Sequence, residues 1–176
     1  MLDEYLFSLP IGYILGYILT ELMEALVHQK VPSNKVLSVL LAEDNLDDVL
    51  ITKRAWKTGK INSNLYVVNN GEEALDFLHK RGKYAEAPNV SLLLLDLKMP
   101  KMNGLEVLEH VKSDKTLKKL PIVMLTTSNR NEDVEKAYDR GCNGYIVKPV
   151  SFETFIEVVH KIEDFWLELS VSPFGF

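Results

Sequence analysis

Residues 91–104 read Ser91-Leu92-Leu93-Leu94-Leu95-Asp96-Leu97-Lys98-Met99-Pro100-Lys101-Met102-Asn103-Gly104. Four consecutive leucines closed by a carboxylate, and then by Pro100 and Gly104, have the pattern of a strand buried on both faces that hands a charged side chain to a loop. Such strands lie in the middle of parallel α/β sheets, whose carboxyl rim is where ligands bind. The pattern therefore predicts Asp96 at that rim. On this stretch alone it is equally a reactive group or a residue that caps the strand-to-loop turn.

The flanking sequence repeats the theme. Val36 to Ala42 is a second apolar run, ending in Glu43 and Asp44, with Asp47 expected to cap a helix that carries Val49, Leu50 and Trp56 and stops at Gly59. Leu65 to Val68 is a short strand, and Asn69-Asn70-Gly71 turns into a helix with Ala74, Leu75 and Leu78 on one face. Beyond Gly104, Leu105, Leu108 and Val111 mark a third helix. Ile122 to Leu125 is a strand ending in Thr126, Thr127 and Ser128, followed by a weak helix, Asn131 to Arg140, with Val134, Ala137 and Tyr138 on its inner face. Tyr145 to Val147 is the last strand, ending at Lys148 and Pro149. Ser151 caps a final helix with Phe152, Phe155, Ile156, Val159, Ile162 and Trp166 inward, and Phe165 and Leu167 off that stripe toward solvent.

Five strands alternating with five helices imply an α/β fold: a parallel sheet covered on both faces and joined by right-handed crossovers. Glu43 with Asp44, Asp96, Thr126 and Lys148 then share one rim.

Composition narrows the rest. The chain has 176 residues, 47% hydrophobic and 26% charged, which is that of a globular protein of one ordinary domain plus an appendage. A net charge of −5 with no compensating basic run excludes direct nucleic-acid binding. The single cysteine, Cys142, excludes an internal disulfide and points to a reducing, cytoplasmic compartment. His28, His79, His110 and His160 are assigned no role.

Residues 1–34 differ in character from the rest. An apolar run from Leu6, broken by glutamates at Glu21 and Glu24, leads to the linker Val31-Pro32-Ser33-Asn34. A membrane span needs about 20 predominantly apolar residues, so residues 6–27 are marginal. The readings, in order, are an apolar helix that docks on a partner or its own copy, a membrane-associated anchor, and an upstream start-site artefact. The organisation expected is thus an apolar helical extension and linker over 1–34, a domain over 35–169 and a tail over 170–176.

Three carboxylates converging at one rim repel one another unless a cation neutralises them. Mg²⁺, a hard ion that takes oxygen ligands and keeps several waters, answers that need. A site of this kind attracts a phosphoryl group, toward which Lys148 offers charge and Thr126 a hydroxyl, and Asp96 becomes a nucleophile at phosphorus. The plainer reading has Glu43 and Asp44 capping the next helix and Lys148 pairing with Asp96 for structure alone.

From Lys35 to Trp166 the chain resembles the receiver domain of two-component response regulators. The resemblance rests on Leu41-Ala42-Glu43-Asp44-Asn45, Leu95-Asp96-Leu97-Lys98-Met99-Pro100, Thr126, and Tyr145-Ile146-Val147-Lys148-Pro149. It implies a flavodoxin-like (βα)5 sheet in the order 2-1-3-4-5 and phosphorylation of Asp96 by a sensor histidine kinase. It implies Mg²⁺ held by Glu43, Asp44, Asp96 and the backbone carbonyl of Lys98, and a cis Lys148–Pro149 bond. Thr126 and Tyr145 would be the switch residues, altering the surface of the fourth helix, fifth strand and fifth helix for a downstream protein partner or a homodimer.

The run Thr126-Thr127-Ser128 and the ending Glu163-Asp164-Phe165-Trp166-Leu167-Glu168-Leu169 look like the stand-alone regulators that partner bacterial phytochromes. Asn103 stands where many relatives have aspartate, and Lys98 and Ser128 occupy positions that tune dephosphorylation in the family. Two other readings compete: a Mg²⁺-dependent phosphatase working through an Asp96 phosphoenzyme, and a constitutive dimer or scaffold with a vestigial site. Against the phosphatase, Lys98 sits two residues beyond Asp96, where such enzymes carry a second carboxylate for acid/base work.

Overall fold

The computed structural model describes residues 36–58 and 63–169. The elements run β1 (Leu37–Ala42), α1 (Leu46–Thr58), β2 (Ser63–Val68), α2 (Gly71–Leu78), β3 (Leu92–Leu95), α3 (Gly104–Ser113), β4 (Ile122–Thr126), α4 (Asn131–Asp139), β5 (Gly144–Val147) and α5 (Phe152–Glu163). A 3₁₀ turn at Gly82–Tyr84 precedes β3, and α5 continues as a π-helix over Asp164–Leu169. The strands form one sheet in the order β2-β1-β3-β4-β5, every pair parallel. This is the flavodoxin-like α/β architecture. The readings made for residues 1–34 and 170–176 lie outside the described residues.

Alternation along the central strands divides the core. Leu92 and Leu94 join Val39, Leu41, Val123 and Leu125 beneath α1 and α5, packed with Trp56, Phe155, Val159 and Ile162. Leu93 and Leu95 face the other way, with Leu40, Met124, Val107, Leu108 and Val111 beneath α2 and α3. Period-two alternation sends successive side chains to opposite faces, so a strand covered on both sides must be apolar throughout. All four leucines are fully buried. Each contributes roughly 1.5–3 kcal/mol by leaving water.

Two close approaches fix the loop after β3. A Cβ on Gly104 would lie 2.2 Å from the Asp96 carbonyl oxygen, and one on Gly71 would lie 2.4 Å from the Met102 carbonyl oxygen. The loop therefore runs pressed between the start of α2 and the end of β3. Within it the Met102 N–H donates to the Pro100 carbonyl at 2.8 Å, a γ-turn about Lys101, whose φ is +66°.

Several local expectations change. Asn45, not Asp47, caps α1: its Oδ1 accepts from the N–H groups of Asp47 at 2.9 Å and Asp48 at 3.2 Å. Leu167 is buried where exposure was expected, because the wider π-turn after Glu163 rotates it onto the core, while Phe165 is exposed. Tyr138 points to solvent, leaving Ala137 as the one fully buried residue of α4. No peptide bond among the described residues is cis, so Lys148–Pro149 is trans, contrary to expectation. Trans is the lower-energy state of an X–Pro bond by about 0.5–1 kcal/mol, and Lys148 reaches the rim from that backbone.

Candidate functional site

Sheet register brings the strand ends together. Ala42 pairs with Leu95, so Glu43 and Asp96 leave adjacent strands side by side, and the Asp96 N–H donates to the Ala42 carbonyl at 3.0 Å. Thr126 pairs with Val147, and the Lys148 N–H donates to the Thr126 carbonyl at 2.7 Å. Glu43, Asp96, Thr126 and Lys148 are all buried, and Asp44 is exposed at the mouth.

At the centre is the Lys148 ammonium. It donates to Glu43 Oε2 and to Asp48 Oδ2 at 2.8 Å, and its Nζ stands 3.3 Å from Asp96 Oδ1. Three carboxylates, Glu43, Asp48 and Asp96, thus share one cation. Burial pushes the Glu43 carboxyl up, against the pull of Lys148, and the neighbouring Asp96 charge adds to the rise. Burial also disfavours the Lys148 charge. The hydrogen bonds to Asp48 and Glu43 and the charge of Asp96 outweigh it and hold the ammonium above the usual lysine range. The other Asp96 oxygen, Oδ2, accepts from the Lys98 N–H at 2.7 Å, which leaves the carboxylate oriented from both sides.

One carboxylate oxygen each from Glu43, Asp44 and Asp96 lie within 4.8 Å of one another. Mg²⁺ binds oxygens at about 2.0–2.1 Å, so opposite ligands of its octahedron stand about 4 Å apart. An all-oxygen, acidic and half-open donor set of this span fits a hard divalent ion that keeps some of its water. Glu43 is the most encumbered of the three: Oε2 is taken by Lys148, and Oε1 accepts from the Asn45 N–H at 3.1 Å. The backbone of Lys98 touches Asp96 through its N–H.

On the far side of Asp96, Thr126 Oγ1 accepts from the Ser128 N–H at 3.3 Å, and the Tyr145 hydroxyl donates to the Ser128 carbonyl at 3.0 Å. Thr126 and Tyr145 are thereby linked through one loop residue. The Ser128 hydroxyl in turn donates to Asp133 Oδ2 at 2.6 Å.

Asp48 and the Ser128–Asp133 pair escaped the sequence reading. Asp48 lies in the first turn of α1, three residues after the cap Asn45, at the helix end that abuts the rim, and that position could have flagged it. Asn103 proves to be the N-cap of α3, in a reciprocal capping box with Glu106. Its departure from aspartate is thus absorbed as a helix start, away from the carboxylate cluster. His160 bonds Thr58 Oγ1 and the Ala55 carbonyl, tying α5 to α1.

Comparison with known proteins agrees with this fold. Response regulator Rcp1 of Synechocystis is 37% identical over 141 residues, 80% of this chain and 96% of that protein. The crystal structure of the phosphorylated cyanobacterial phytochrome response regulator RcpA aligns with TM-score 0.76 and 37% identity, covering 79% of this chain and 99% of the other. The Mn²⁺-bound form of Rcp1 aligns with TM-score 0.74 and 36% identity over 78% of this chain and 99% of the other. The chain thus resembles the phytochrome-associated regulators in particular. A family model described as the response regulator receiver domain matches residues 39–160, from β1 into α5 and across the whole acidic rim, and the chain belongs to that family of two-component signalling proteins.

Proposed function

We propose that the protein is a phosphorylation-dependent switch whose phosphoacceptor is Asp96. The observation that carries this reading is the meeting of the Glu43, Asp44 and Asp96 carboxylates within 4.8 Å, with Lys148 Nζ at 3.3 Å from Asp96. An Asp96 oxygen attacks the phosphorus of a phosphohistidine on a sensor histidine kinase. The new O–P bond forms as the P–N bond breaks, and the imidazole nitrogen keeps the electron pair. The product is an acyl phosphate.

Glu43, Asp44, Asp96 and the Lys98 carbonyl would hold Mg²⁺, and both Glu43 oxygens already accept hydrogen bonds. Bound there, Mg²⁺ neutralises charge on the phosphoryl oxygens. Lys148 adds a point charge to the transferred group, and the Thr126 hydroxyl turns toward it. Tyr145 follows through Ser128, and the α4-β5-α5 surface changes for a downstream protein partner. Receiver relatives are signalling proteins rather than turnover catalysts, and Lys98 two residues after Asp96 suits that role.

The kinase is of the phytochrome-like class on the strength of the relatives. Exposed Leu46, Leu50 and Val150 beside the acidic mouth offer it apolar contact. The receiver unit is assigned to residues 35–169, in the cytoplasm. No described helix is long and apolar enough to cross a membrane. The extension over 1–34 is assigned to docking on a partner or a second copy, and its deletion should change oligomeric mass without changing membrane partition.

Incubation with acetyl phosphate and Mg²⁺ followed by intact mass tests the central reading. The wild type should gain one phosphoryl group and Asp96→Asn none. Sustained turnover of small phosphate esters by the wild type would instead favour a phosphatase.

A further inference from the structure

The hydroxyl of Thr126 is committed before any phosphoryl group arrives. Its Oγ1 accepts from the Ser128 N–H, while Asp96 is engaged by the Lys98 N–H and by Lys148. Turning Thr126 toward a group on Asp96 therefore stretches or breaks the 3.3 Å bond to Ser128, and the loop must respond.

Ser128 is held from two other sides. Its carbonyl accepts from Tyr145, and its hydroxyl donates to the Asp133 carboxylate at 2.6 Å. Asp133 is the third residue of α4. That helix starts at Arg130 with no side-chain cap of its own and buries only Ala137 fully. The hydroxyl–carboxylate bond is of the charge-assisted kind, stronger than a neutral pair, and the Asp133 side chain is only 13% exposed. It supplies the tie between loop and helix that a cap supplies elsewhere. Arg130 Nε lies 3.6 Å from the same Oδ2, and the Tyr145 hydroxyl, bonded to the Ser128 carbonyl, also feels the Asp133 charge.

We propose that Asp133 is a positioning residue of the switch. By holding the Ser128 hydroxyl it keeps the loop between β4 and α4, and with it Thr126, in the arrangement that precedes phosphorylation. The inference rests on the reading of Asp96 as phosphoacceptor. A ligand that favours the second arrangement must work against this latch, so weakening the latch raises the ligand's apparent affinity.

The test titrates the full chain with beryllofluoride, a phosphoryl mimic, in saturating Mg²⁺ by calorimetry, with thermal melts alongside. Asp133→Ala and Ser128→Ala should each bind about 5- to 20-fold tighter, the lower part of the usual range for coupled sites. The double variant should bind no tighter than the tighter single one, because both remove one bond. Asp133→Asn keeps an acceptor oxygen but loses the charge assistance, and should tighten binding by less than Asp133→Ala does. Arg130→Ala should match wild type.

Unchanged or weaker binding in Asp133→Ala, additive effects in the double variant, or the same tightening in Arg130→Ala would each overturn the latch. Ser128→Ala carries the test if Asp133→Ala fails to fold. The underlying reading fails separately: a wild type that takes up no beryllofluoride removes Asp96 as acceptor, and the latch with it. Wild-type binding that vanishes in Asp96→Asn, together with Asp133→Ala binding like wild type, removes the latch alone.

Discussion

Helices α3 and α4 follow neighbouring strands and begin at the same rim, yet they are anchored very differently. α3 opens on the Asn103–Glu106 capping box, buries Gly104, Val107, Leu108 and Val111, and presses Gly104 against the Asp96 carbonyl. α4 opens on an uncapped Arg130 and buries Ala137 alone. In the proposed switch, one helix follows the residue that stays still and the other follows the residue that moves. A rim that receives a group and reports it needs both, since a rigid acceptor cannot signal and a loose one cannot orient the attack.

The largest expected effect is on the core. Leu108→Ala in α3 should cost about 2–5 kcal/mol in denaturant unfolding, whereas Tyr138→Ala in α4 should stay within about 0.5 kcal/mol. Equal costs would break the comparison. Next comes Gly104→Ala, whose Cβ would collide with Asp96 backbone at 2.2 Å. A loss of about 1–3 kcal/mol and slower labelling by acetyl phosphate are expected together, because the same shift displaces the proposed acceptor. Third, Asn103→Ala should lose about 1 kcal/mol with its cap, while Arg130→Ala, with no cap to lose, should melt like wild type.

The smallest effect is a pH dependence at the other end of α3. The Asp114 carboxyl accepts from the Thr116 hydroxyl and from the N–H groups of Leu117 and Thr116, which lower it to about 2. A carboxyl held below its unfolded value stabilises above that value, here the ordinary 3.8, and the stabilisation is lost as pH falls toward about 2. Hydrogen-exchange protection of the α3 end should therefore fall between about pH 4 and pH 2. In Asp114→Ala it should be low and flat across that window, and a wild-type profile equally flat would remove this anchor from α3.

Much of this was legible in the chain. Unbroken apolar runs with polar endings announce buried parallel strands, and four such endings placed Glu43, Asp44, Asp96, Thr126 and Lys148 on one rim, where the three acids and Lys148 meet. What escaped depends on facts that no local pattern carries. Asp48 reaches Lys148 across 100 residues of sequence. Leu167 turns inward because the helix changes its winding, and Tyr138 turns outward because α4 packs through one small residue. Ser128 and Asp133 stand five apart, across a loop and a helix start, outside the usual three-residue capping spacing.

The Lys148 cluster has a consequence for how the molecule is built. Its bonds to Glu43 and Asp48 close loops of 105 and 100 residues, between the ends of β1 and β5, which are separated in the sheet by β3 and β4. Closing such loops is entropically slow, and here it has to wait until four strands stand in register. The cluster is therefore among the last native features a folding chain can acquire. A nascent or partly unfolded copy has its leucines but no assembled rim, so the proposed phosphoryl transfer is open only to completed molecules.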